Sequence, residues 1–166
     1  MFQVGERVVH PGQGLCTIVG FKDAPSPMLV LETGSGRRTT RLLFPAEGAE
    51  HRLHPPVSRA EALRVIADYD ALPLDPHTDR NSGQEEAYFK NLLKQGVPNS
   101  VMVVKTMSAR IADAERMSKK PSAYLVRVLK EARRRSLEEL CCALDSTPEE
   151  VVQMFDDHAD DMGAGE

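Results

Sequence analysis

The chain has 166 residues, 21 basic and 25 acidic, for a formal net charge of −4; 41% are hydrophobic and 28% charged. That balance excludes a disordered or collagen-like chain and leaves room for one domain or two small ones. No Trp is present and aromatics are only 5%, so large rings do not dominate the core.

No segment reaches the ~20 apolar residues of a membrane helix. The opening Met1 to Glu6 lacks the basic-then-apolar pattern of a signal peptide. Cys16 sits in an apolar run, and Cys141 and Cys142 are adjacent. These read as reduced, buried thiols of a cytoplasmic protein. No CxxC or HxxxH spacing occurs, so neither a metal nor another cofactor is expected.

Charge is uneven. Residues 1–56 hold 6 basic and 5 acidic side chains, residues 57–144 hold 15 and 12, and residues 145–166 hold none and 8. Residues 105–135 alone carry 10 basic and 3 acidic. Such a belt either touches nucleic acid or is a solvated helix face.

In chain order, four short branched or apolar runs come first: Arg7 to His10, Leu15 to Phe21, Met28 to Glu32 and Arg38 to Phe44. A fifth is expected over Glu50 to Leu53, closed by Pro55 and Pro56. Turn residues separate them, with Gly5, Gly14 and the Gly34-Ser35-Gly36 hairpin among them. Evenly spaced short strands with turns between predict a small closed barrel, and closure would remove exposed edges.

From residue 58 the pattern turns helical. Ser58 to Glu61, Ser82 to Glu85 and Thr147 to Glu150 each read as a capping box. Gly96 and Pro98 stop one helix, and Asn99 caps the next, whose stripe is Val101, Val104, Met107, Ile111 and Ala112. A long helix is expected from about Lys120 to Leu144, with Pro121 in its first turn. The fold class is therefore α+β: a β-barrel over 1–56, an all-α domain of about five helices over 57–160, and a frayed acidic tail over 161–166. No nucleotide-binding glycine loop or GxSxG is present, and His10, His51 and His54 have no evident nucleophile to serve. The chain does not read as an enzyme.

Four stretches carry a resemblance. Phe2-Gln-Val4-Gly5-Glu6 through Val8-Val9-His10-Pro11 to Gly14 is the first, and Phe44-Pro45-Ala46-Glu47-Gly48-Ala49-Glu50 the second. Pro76-His77-Thr78 with Tyr88, Asn91 and Leu92 is the third, and Ala132-Arg133 through Glu139-Leu140 to Ser146-Thr147 the fourth. Together they resemble the CarD/CdnL family of bacterial transcription regulators over nearly the whole chain, with few matches between Asn99 and Leu129. The resemblance implies an N-terminal Tudor-like barrel, shared with transcription-repair coupling factors, that binds the RNA polymerase β subunit. It also implies a helical C-terminal domain that contacts promoter DNA at the upstream edge of the bubble and alters open-complex stability. There a Trp wedges into the minor groove and Arg and Lys residues hold phosphates.

Two departures follow. Relatives carry Arg where Leu43 stands, but Arg41 lies two residues earlier on the same strand face. The polymerase-binding expectation therefore falls on Arg38, Arg41 and Leu43. The family Trp falls on Gln84, and the positions after it are Glu85, Glu86 and Ala87. A polar amide does not wedge like an apolar ring, and acids repel phosphate. DNA contact, if kept, is expected from Gln84, Lys90, Lys94, Arg127, Lys130 and Arg134, weak and dependent on polymerase. The alternative is a polymerase-binding module whose helices have lost DNA and bind another protein. A monomer is expected.

Overall fold

In a computed structural model, residues 1–34 and 36–164 are described, without the side chains of 158–164. Contacts divide the chain into two compact units, Met1–Pro56 and Val57–Glu166.

The first unit opens with strands β1 (Arg7–His10), β2 (Gly14–Lys22), β3 (Met28–Thr33) and β4 (Thr40–Pro45). They form one antiparallel sheet in the order β1-β2-β3-β4. Alternation sends Val8, Cys16, Ile18, Leu29, Leu31 and Phe44 into one core. Gly5 and Gly14 adopt φ of 92° and 85°; Gly5 sits in a turn as expected, whereas Gly14 opens β2, paired with His10 just after the turn. A 3-10 turn, Gly36–Arg38, precedes β4. Gly34 is obligatory here, because an added Cβ would lie 2.2 Å from the Arg38 carbonyl oxygen. Ser35, in the middle of the expected hairpin, lies outside the described residues.

Two expectations are corrected. The sheet does not close: β1 and β4 are its two ends, and among the described residues the β1 edge is met by one bridge, Val9 to His54. The fifth strand is instead helix α1 (Ala49–Arg52). Helical spacing puts Ala49 and Leu53 on one side, where both enter the core. Arg52 locks the turn, donating to the carbonyls of Pro45 at 3.2 Å and Glu47 at 2.7 Å while lying 4.5 Å over the Phe44 ring.

The second unit contains α2 (Arg59–Ala67), α3 (Ser82–Leu92), α4 (Val97–Arg116), α5 (Ala123–Leu144) and α6 (Pro148–Ala164), with 3-10 turns at Tyr69–Ala71 and Leu93–Gln95. One core joins Phe89, Val103, Met107, Leu125 and Val128. Another joins Ala62, Ile66, Val97, Val101, Leu140 and Val151. Ser58 caps α2 as expected, accepting from Glu61 N–H at 3.1 Å. Thr147 and Glu150 cap each other at the start of α6.

Elsewhere the ends shift. Asn81, not Ser82, caps α3, accepting from Gly83 and Gln84 N–H at 2.8 and 3.2 Å. Helix α4 starts at Val97, so Pro98 sits in its first turn and Asn99 lies inside it. On its stripe Ala112 is exposed, while Val103 and Thr106 are buried. Helix α5 starts at Ala123, leaving Pro121 before it. Helix α6 runs four residues beyond 160, to Ala164; of the tail expected to fray, Gly165 and Glu166 lie outside the described residues. Cys16 is buried, but Cys141 and Cys142 are only half-buried. No helix among the described residues is long and apolar enough to cross a membrane.

Candidate functional site

On the first unit, the outer side of the sheet carries an open groove. On β4, Leu42 and Phe44 turn toward the core, so alternation turns Arg41 and Leu43 outward together. Leu43 pairs with Val30, and Arg41 pairs with Glu32. Val30, Arg41 and Leu43, with Val19, Gly20, Phe21 and Lys22, line the groove. Phe21 and Leu43 are each 50% exposed, so two large apolar side chains stand in water beside a cation.

Arg41 Nε donates to Glu32 Oε2 at 2.9 Å, with 70% of the arginine side chain exposed. An exposed pair of this kind is worth about 0–1 kcal/mol, so it orients the guanidinium without consuming it. Arg38 is exposed in the 3-10 turn before the strand. Phe21 and Glu32 were missed in the sequence. An aromatic at the end of a strand, followed by Lys22 and Asp23, was the available signal for Phe21.

On the second unit, the residues around α3 separate into an inner and an outer set. Glu85 is buried, contrary to the expectation of an acid facing phosphate. With Asn81 as cap, its carboxylate turns inward, where Arg110 Nη1 donates at 3.1 Å and the Tyr124 hydroxyl also donates. Burial, then the Glu85 bond, pushes the Tyr124 hydroxyl up to about 12. Arg110 also holds the carbonyls of Asp75 at 3.0 Å and His77 at 2.6 Å. Tyr88 donates to Asp75 at 2.8 Å, and its ring stacks on His77 with centroids 3.7 Å apart. Arg110 and Tyr88 thus hold the segment at Asp75 and His77 against α4 and α3, while Glu85 ties α3 to Arg110 on α4 and Tyr124 on α5.

The outer set is Gln84, Glu86, Lys90 and Arg127. Gln84 is exposed and lies against Asp79, with its amide nitrogen 3.1 Å from both carboxylate oxygens when oriented to donate. Glu86 accepts from Arg127 Nη2 at 3.1 Å and from Lys90 Nζ at 3.1 Å. The Arg127 hydrogen bond, then that of Lys90, holds the Glu86 carboxyl below the usual carboxylate range. Arg134 is bound by Glu131 at 2.7 Å and Glu138 at 3.1 Å. Lys90 and Arg127 are therefore brought together, but over an acid. Gln84 lies about 120° round the helix from Lys90, and Lys94 follows in the 3-10 turn.

The basic belt is correspondingly depleted. Lys105 Nζ donates to the carbonyls of Tyr69, Asp70 and Leu72 at 2.9, 3.1 and 2.7 Å. Arg110 is in the network above, Arg116 pairs with Asp113, and Arg135 is buried. With Arg127 and Arg134, six of the ten cations between residues 105 and 135 are paired with an acid, bonded to carbonyls or buried. Linear counting could not register this, because three of the acids involved, Glu85, Glu86 and Glu138, lie outside that interval. No cluster of metal-ligating side chains is present among the described residues.

Comparison with protein-family models and with curated proteins finds no match to this chain.

Proposed function

We propose that the chain is a CarD-like transcription regulator whose N-terminal unit binds the RNA polymerase β subunit. In this reading it works in the bacterial cytoplasm, as a monomer and without catalysis, and changes open-complex stability. The observation that carries it is the groove at Phe21, Leu43 and Arg41, where apolar area and a positive charge meet on a sheet face. Such a face suits a protein surface that offers an apolar contact and an acid. The motifs Phe2 to Gly14 and Phe44 to Glu50 supply the partner's identity by resemblance. We read the four-stranded sheet, with α1 and the Val9 to His54 bridge at one edge, as a Tudor-like module whose barrel is incomplete. The test is binding of a purified β-subunit fragment by the parent chain and by Arg41→Glu.

A second reading has its own observation. Glu86 engages Lys90 and Arg127, and Glu131 and Glu138 engage Arg134. The carboxylates beside these cations repel a phosphate backbone. This favours a helical unit that meets a protein instead of DNA. Salt-dependent duplex binding by the full chain separates the two readings.

A further inference from the structure

Helix α5 is apolar on two sides. Leu125, Val128, Ala132 and Leu140 are buried within the unit. About 120° round the helix from the first three, Val126, Leu129, Lys130, Arg133 and Leu137 line a shallow groove, with Leu129 and Leu137 half-buried against the cores. At about 100° per residue these five fall within an arc of about 100°. Val126 is 53% exposed, where a solvated helix face is ordinarily polar. The stripe from Val126 to Leu137 is about 16 Å long, or three helical turns.

Charge selects the occupant. Lys130 and Arg133 are exposed in the middle of the stripe and make no hydrogen bond or ion pair among the described residues. A second copy docking by an antiparallel two-fold would set Lys130 against the other copy's Arg133, cation on cation. A duplex would gain little from the apolar floor between them, and the flanking Arg127 and Arg134 are held by acids. Arg133 and Leu137 also line a neighbouring cavity with Val104, Phe155, Asp70 and Asp156, so that side of the groove repels anions.

We propose that this face binds an amphipathic helix of a partner protein, with its apolar stripe on Val126, Leu129 and Leu137 and its acids over Lys130 and Arg133. Anchors at i, i+3 or i+4, i+7 and i+11 span the ~16 Å of the groove. The acids belong on one half of that helix only, since Asp70 and Asp156 oppose them on the other. The proposal gives the protein-binding reading of the helices a surface and a ligand. It does not depend on the polymerase reading of the N-terminal unit.

The test uses the full chain and a fluorescein-labelled helical peptide of about 14 residues, with Leu along one stripe and Glu on its flanks. A counterpart has Lys for every Glu, and a duplex of about 20 base pairs serves as competitor. The acidic peptide should bind at least about tenfold more tightly than the basic one. Val126→Glu should weaken it about tenfold. Lys130→Glu with Arg133→Glu should reverse the preference, so that the basic peptide binds better. These are exposed positions, and the reversal is a gain that misfolding does not produce. Binding of the polymerase β fragment should be unchanged in both variants, which separates this test from that of the N-terminal unit. The proposal is overturned if the acidic peptide does not bind, if both peptides bind alike, if the double variant keeps the parent's preference, or if duplex DNA displaces the peptide.

Discussion

Arg127 Nη2 lies 3.1 Å from Glu86 Oε2, so a cation on α5 is answered by a carboxylate on α3. This one pair changes what the local excess of basic residues means. A charge that is already matched contributes little counterion release on meeting DNA.

Free duplex DNA should therefore bind no tighter than the ~10⁻⁴–10⁻⁶ M of non-specific association at physiological salt. Glu86→Gln leaves Lys90 and Arg127 without their carboxylate and should steepen the salt dependence by about two units if these cations face the duplex. Fluorescence anisotropy across a salt series checks this. An unchanged slope would assign this surface to protein contact.

The start of α3 makes a second prediction. Asn81→Ala should cost about 1 kcal/mol, the ordinary value of an N-cap, because its side chain accepts from two N–H groups. Ser82→Ala should change stability by less than about 0.5 kcal/mol. Equal costs in urea unfolding would return the cap to Ser82.

Glu85 and Arg110 form a largely buried ion pair, with 11% and 22% of their side chains exposed. Glu85→Ala leaves Arg110 and the Tyr124 hydroxyl without their carboxylate. It should cost about 3 kcal/mol, within the range for breaking a buried pair from one side. A loss below about 1 kcal/mol would mean that the pair behaves as a surface one.

Two carboxylates should shift stability with pH in opposite directions. Burial raises the Glu139 carboxyl, with the Val57 N–H bond and Arg135 opposing it. The folded state then holds this proton more tightly than the unfolded one, so this contribution falls as pH rises through the window above the usual carboxylate range. Arg134 lowers Glu131, so its contribution is present above that range and is lost as pH falls. Glu139→Gln should gain on the parent as pH rises from about 4 to about 7, and Glu131→Gln should lose. Parallel stability curves across a pH series of urea melts would contradict both assignments.

The legible parts of the sequence are those set by neighbours in the chain. Ser58 with Glu61 and Thr147 with Glu150 are local hydrogen bonds, and both caps form. Arg41 and Leu43 share a face because strand period is two. What distant residues decide was not legible. Residues 49–52 have no helical pattern of their own length. They coil because Ala49 and Leu53 enter a core built by β1 to β4, while Arg52 caps the turn from Phe44 to Glu47. Glu85 read as a surface acid because its partner Arg110 is 25 residues away and on another helix. The exposed stripe at Val126 went unread because Leu125 and Val128 beside it supply the expected core face.

The most direct measurement of the account is the affinity of the full chain for a purified polymerase β-subunit fragment, with and without Arg41→Glu. Circular dichroism confirms that both are folded. Arg41 is exposed and pairs across the strand with Glu32, so the variant should fold. The account predicts that the parent binds and that Arg41→Glu weakens it at least about tenfold, or about 1.4 kcal/mol, because reversal replaces attraction by repulsion. A parent chain that does not bind the fragment, or a folded variant that binds as tightly as the parent, would contradict it.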